Sequence, residues 1–178
     1  MVLPEVTKDF PPPQPTSVDL VVIKRGEPVF VGMRGDAAEP PRIYIAVDPT
    51  MRCEELFAKL DQVRQTGSDI SLVVRTPKGI GALPLHLPRA MTGDEPLLVL
   101  TIARTANGQP RLILGSRTLA LGELEAALRE TPRKHLALDV DHSTTVGTFA
   151  QVLALASSVV PDVSLIAKPA APQVIEHP

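Results

Sequence analysis

Five consecutive residues, Asp141-His142-Ser143-Thr144-Thr145, bring together an acid, an imidazole and three hydroxyls. Those are the groups of a nucleophilic relay, but a relay is recognised by geometry and is assembled from separate segments of chain. The same residue types cap helices: at a strand-to-helix turn, Asp, Ser or Thr accepts hydrogen bonds from the first free amides. Asp48-Pro49-Thr50 meets that need a second time, with Pro49 suited to the first helical position. Capping is therefore the preferred reading of both clusters, and a small hydrolase using Asp141 and His142 is the alternative. Strand ends that feed helix starts form exposed rims. Asp48, Asp141, His142 and Ser143 are accordingly the candidate partner-binding residues.

The other reactive residue types read as structural. Cys53 falls on a helical stripe with Leu56 and Leu60, where a small buried thiol is the common case. His86, His135, His142 and His177 are scattered, with no two at ligand spacing on one helix face. Lys78-Gly79-Ile80-Gly81 lacks the terminal Gly-Lys-Ser/Thr of a phosphate loop and reads as linker. Glu123, Glu125, Arg129 and Glu130 read as the solvated face of a helix. No catalytic set, cofactor site or metal site is expected, and the chain reads as a binding protein rather than an enzyme.

Composition narrows the partners. At 178 residues, 44% of them hydrophobic, and a mean hydropathy of +0.12, the chain has ample material for a core. A net charge of −2 without a Lys/Arg cluster removes the footprint of phosphate-backbone binding. With 3% aromatic residues and no Trp, a stacking platform has little to be built from. The single cysteine excludes an internal disulfide. No apolar run approaches a membrane span, and the first residues carry no basic region followed by an apolar stretch.

The elements that must position the two clusters are written twice. Residues 43–77 align without a gap on residues 136–170, an offset of 93, with Val47/Val140, Asp48/Asp141, Leu60/Leu153, Asp69/Asp162, Ser71/Ser164 and Leu72/Leu165 identical. Each copy reads as a short apolar strand ending at Asp, an amphipathic helix, and a second apolar strand starting at Asp-Ile/Val-Ser-Leu. The stripe Cys53, Leu56, Leu60 and Val63 corresponds to Val146, Phe149, Leu153 and Ala156, with Gly67 as the stop of the first helix. Hairpins open both copies: Val18–Ile23 with Pro28–Val31 around Arg25-Gly26-Glu27, and Leu97–Ala103 with Leu112–Leu114 around Ala106-Asn107-Gly108-Gln109. The second copy adds a helix over Thr118–Arg129 with the stripe Leu121, Leu124 and Leu128. The expected fold class is α+β: a two-layer sandwich of mixed β-sheet with helices on one face, built from two related β-α-β units. Proline-rich composition marks residues 1–16 as a tail or stalk, 78–96 as a linker and 171–178 as a tail, which bounds the units at 17–77 and 97–170.

The second unit resembles a known family. The hairpin with Asn107-Gly108, the pair Gly115-Ser116, the helix Leu121-x-x-Leu124-x-x-x-Leu128, the strand ending in Asp141, the amphipathic helix and the strand Val163-Ser164-Leu165-Ile166 follow the order of the periplasmic domain of the ExbD/TolR biopolymer transport proteins. Residues 17–77 look like a reduced version without the first helix. Where the family commonly has Pro-Tyr-Gly ahead of the second helix, Thr145-Val146-Gly147 stands here, and only the glycine is kept. The resemblance implies a non-catalytic part of an ion-driven envelope motor, assembled with a multi-span membrane protein of the ExbB/TolQ/MotA type. Its periplasmic domain contacts a transducer protein or peptidoglycan, and it forms a homodimer. Family members carry one N-terminal membrane helix with a proton-exchanging Asp; neither is in this sequence, and residues 1–16 look like the stalk that follows such a helix. The expectation is a truncated, inner-membrane-anchored periplasmic ectodomain, with a soluble cytoplasmic scaffold as the alternative.

Overall fold

Runs rich in Val and Ile favour extended chain, because branched side chains pack well on a pleated surface. Three such runs form the centre of the first sheet: β1 (Val18–Ile23), β3 (Arg42–Val47) and β4 (Asp69–Thr76), all parallel. β2 (Pro28–Gly32) lies antiparallel to β1, and β5 (Gly79–Leu85) lies antiparallel to β4. The order is β2-β1-β3-β4-β5, with α1 (Cys53–Arg64) crossing from β3 to β4. This computed structural model describes residues 2–13, 18–23, 28–32, 42–64, 69–86 and 98–166.

The second sheet has the order β10-β9-β6-β7-β8. β6 (Leu98–Arg104), β9 (His135–Val140) and β10 (Asp162–Leu165) are parallel, while β7 (Pro110–Leu114) and β8 (Arg117–Leu119) are antiparallel additions. α2 (Leu124–Glu130) precedes β9, and α3 (Val146–Val159) crosses from β9 to β10. The fold is α+β. Pairing of β3 with β4 runs from Arg42↔Asp69 to Ile45↔Leu72, and pairing of β9 with β10 runs from His135↔Asp162 to Leu138↔Leu165, the same register displaced by 93 residues.

One core joins the two sheets. Ile43, Ile45, Ile70 and Leu72 from the first, and Leu100, Ile102, Leu136 and Leu138 from the second, pack in a single cluster with all three helices. α1 contributes Cys53, Leu56 and Leu60, spaced three and four apart on one face. Val63 and Gly67 fall outside the side chains and residues described. α3 buries Val146, Phe149, Ala150, Val152, Leu153, Ala154 and Ala156, well beyond one stripe. A helix apolar around so much of its circumference belongs to the interior.

Three segments differ from the sequence expectation. Residues 79–85, expected inside a linker, form β5, paired with β4 from Ile70↔Leu85 to Thr76↔Gly79. Pro84 is accommodated because β5 ends its sheet, the position that accepts proline. The helix expected over Thr118–Arg129 starts later: Arg117–Leu119 is β8, Leu121–Glu123 is a 3-10 turn, and α2 begins at Leu124. Leu124 and Leu128 are buried while Leu121 is exposed, because the short stripe competes with a strand edge that β8 can extend. The Asn107-Gly108 turn is a five-residue loop with Gly108 at φ +77°, a conformation glycine adopts without strain.

Residues 2–13, expected as a tail, are extended but seated. β3 leaves β4 beyond the Ile45↔Leu72 pair, and Glu5 takes the vacated place beside Arg75. Val6 N donates to Arg75 O at 2.9 Å, Arg75 N to Pro4 O at 2.8 Å, and Ala82 N to Pro11 O at 2.8 Å. Val6 is buried and Phe10 packs against the core, so apolar contact and unsatisfied edge backbone together hold a segment that composition alone marks as linker. Residues 167–178, the second expected tail included, lie outside the described residues.

Candidate functional site

The two strand-to-helix turns, each carrying candidate residues, lie against each other. In the first, Asp48 Oδ1 accepts from Thr50 N at 2.8 Å and from Thr50 Oγ1 at 2.6 Å. In the second, Asp141 Oδ1 accepts from Ser143 N at 2.7 Å and from Ser143 Oγ at 2.5 Å. Met51 N donates to Asp48 O at 3.1 Å and Thr144 N to Asp141 O at 2.9 Å, closing each turn in the same way. Such turns suit Asp because its short side chain reaches the backbone two residues on.

The expected side-chain capping holds for Thr145 at α3 alone. Neither aspartate caps a helix: each stabilises its own turn, and Pro49 stands four residues ahead of the first helical residue, Cys53. α3 is capped by Thr145, which accepts from Thr148 N. The first two amides of each helix are satisfied by carbonyls of the opposite turn. Cys53 N donates to Thr144 O at 2.8 Å and Glu54 N to His142 O at 3.1 Å; Val146 N donates to Met51 O at 2.8 Å and Gly147 N to Pro49 O at 2.9 Å. Arg52 and Thr145 form an antiparallel bridge between the two turns. These donors are among the orphan amides of any helix start, and leaving them buried without acceptors would be costly.

Asp48, Asp141, His142 and Ser143 are thus brought to one junction. The His142 ring meets Phe57 edge-on, with centroids 6.5 Å apart, and Phe57 in turn meets Phe149 at 5.6 Å. Arg104, at the end of β6, donates from Nη1 to Ser143 O at 3.2 Å and from Nε to Gly108 O at 3.3 Å, tying the β6–β7 loop to the second turn. The hydrogen bonds from the Ser143 hydroxyl and amide hold the Asp141 carboxyl below its usual range, helped by His142 and Arg104. Burial pushes the Cys53 thiol up to about 12, with the nearby Asp141 charge adding to the effect. A thiol so placed is a packing group and not a nucleophile at neutral pH.

The arrangement does not have the form of a relay. Asp141 bonds Ser143 directly, whereas a relay sets the imidazole between acid and hydroxyl. Among the described residues no hydrogen bond joins His142 to either, and no group of three His, Cys, Asp or Glu side chains is placed to hold a metal ion. His135 Nδ1 pairs with Asp162 Oδ2 at 2.8 Å, and the backbone of His86 bridges Ser164 on β10; His177 lies outside the described residues. An open cleft of about 340 Å³ between the C-terminal ends of α2 and α3, lined by Leu128, Arg133, Ser158 and Val160 among others, lies apart from the turns. The chain matches no protein-family model, no curated protein and no solved structure.

Arg104 and Phe57 join the junction without having been singled out in the sequence, whereas Thr144 belongs to the cluster read as capping and Gly147 is the glycine noted ahead of the second helix. Arg104 was findable only through the register that sets Ile102 beside Val140. A Cβ on Gly147 would stand 3.2 Å from both Cβ and O of Pro49, so the close approach of the turns favours a residue without one. Thr144 is 3% exposed, and its hydroxyl has no hydrogen-bond partner among the described residues.

Proposed function

We propose that the chain is a non-catalytic binding module of an ion-driven envelope motor of the ExbD/TolR type, acting in the periplasm on a transducer protein or peptidoglycan. The observation that carries this reading is the element order of residues 98–166: hairpin, short helix, strand ending at Val140 just before Asp141, largely apolar helix, strand. Of the residues behind the resemblance, Gly115-Ser116 lie between β7 and β8, Leu124 and Leu128 on the buried side of α2, and Val163 and Leu165 are buried on β10. The binding reading is favoured over a hydrolase because His142 faces Phe57 and not the Asp141–Ser143 pair. As a binding surface, the paired turns offer a rim with exposed Asp141 and His142, tied to β6 by the Arg104–Ser143 bond.

The test is fractionation of the native gene product from its own cells, followed by purification through an affinity tag without denaturation. The reading expects the product in the inner membrane, heavier than 19.1 kDa by about the 20 residues of one spanning helix, and recovered with a multi-span protein. A product wholly in the soluble fraction, recovered without any membrane protein, overturns it and leaves a scaffold.

A further inference from the structure

We propose that the two units are the halves of a two-fold dimer joined in one chain, so that a single copy of this protein fills the place of two one-unit chains. In a two-fold contact residue i meets j and j meets i. The backbone bonds across the junction have that form. The bond from Cys53 N to Thr144 O has its counterpart in Val146 N to Met51 O, and the bond from Glu54 N to His142 O has its counterpart in Gly147 N to Pro49 O. Both members of each counterpart are displaced by the same 93 residues that relate the strand registers. Arg52 bridges Thr145, its own equivalent, which places the axis between them.

Neither half is complete alone. Cys53 and Val146 are fully buried, and among the described residues their amides find acceptors only across the junction. Away from the axis the halves diverge: β5 and the seated residues 2–13 belong to the first, β8 and α2 to the second. A two-fold contact closes with two members, so the self-complementary surface is used up within the chain. The second copy that the family resemblance implies is then supplied in cis. Resting on the motor reading, the consequence is one chain of this protein, not two, in the assembled complex.

The experiment is sedimentation equilibrium of the full chain over a hundredfold range of concentration, joined to amide exchange of two variants. The proposal expects one species of 19.1 kDa and a melting temperature independent of concentration. It further expects Gly147→Val, a wedge in the second unit, to lower protection of the Cys53 and Glu54 amides in the first by about tenfold. Gly122→Ala, in open space on the same unit, should leave them unchanged. A species of twice the mass overturns the proposal, as does protection of Cys53 and Glu54 that ignores the wedge. A soluble native product that passes both measurements removes the motor reading and leaves this inference standing.

Discussion

Replacing Gly147 by alanine tests how tightly the two turns are pressed together. The new Cβ would come 3.2 Å from Pro49 Cβ and 3.2 Å from Pro49 O, against about 3.5–4.0 Å for an unstrained carbon contact. Pro49 has little freedom to withdraw, because its ring fixes φ and its carbonyl accepts the Gly147 amide at 2.9 Å. The turn must shift by a few tenths of an ångström, lengthening that bond. Overpacking of this kind costs about 1–3 kcal/mol. Alanine returns at most about 1 kcal/mol through its better helix propensity. The net expectation is a loss of about 1 kcal/mol for Gly147→Ala, and about 2–3 kcal/mol for Gly147→Val, which is bulkier and a poorer helix former. At Gly122 an added Cβ meets nothing within 4 Å, so Gly122→Ala should be neutral or gain up to about 1 kcal/mol. Urea unfolding followed by far-ultraviolet circular dichroism measures all three. A Gly147→Ala protein at least as stable as wild type refutes the reasoning, and equal losses at both glycines would show that the contact with Pro49 is not the cause.

Thr144→Val replaces a buried hydroxyl that lacks a partner among the described residues by a methyl of similar shape, and should raise stability by about 1 kcal/mol; a loss on urea unfolding would mean the hydroxyl is satisfied. Because the Asp141 carboxyl titrates below its unfolded value of about 3.9, its contribution is present above that pH and disappears as pH falls through the folded value. Thermal melts of Asp141→Asn should therefore show a flatter acid limb than wild type, and parallel limbs would count against the assignment. Cys53 has its pKa raised to about 12, so its contribution is full below the unfolded thiol value of about 8.5 and is lost as pH rises from there towards 12. At neutral pH a disulfide reagent should label it only after unfolding, and rapid labelling of the native protein would contradict its burial.

Much of the fold is legible along the chain because its signals are local. Val18–Ile23, Ile43–Val47, Ile70–Val74 and Leu136–Val140 are apolar runs of strand length, and each lies within a strand. Cys53, Leu56 and Leu60, and again Val146, Phe149 and Leu153, are spaced to bury one helix face, and all six are buried. The offset of 93 also holds for the strand registers, since register follows from which residues must point inward. The grouping of Asp48 with Thr50 and of Asp141 with Ser143 was likewise readable, because an Asp-centred turn spans only two residues.

Other features depend on what the chain meets after it has folded back. Residues 79–85 are rich in glycine and proline and carry no strand signal of their own; the open edge of β4 makes them β5. The opposite edge of β4, where β3 departs, seats Pro4–Val6 despite a composition typical of a linker. Arg117–Leu119 become a strand because β7 has an unpaired side, although their neighbours suggest helix. The acceptors for the first amides of α1 and α3 lie about 90 residues away, in the opposite turn. Helix periodicity and capping residues are encoded within a few positions and are determined by the sequence itself. Which backbone groups remain unpaired, and which segment arrives to satisfy them, is set only when both sheets close on one core, and the junction of Asp48, Asp141, His142 and Ser143 is a product of that closure.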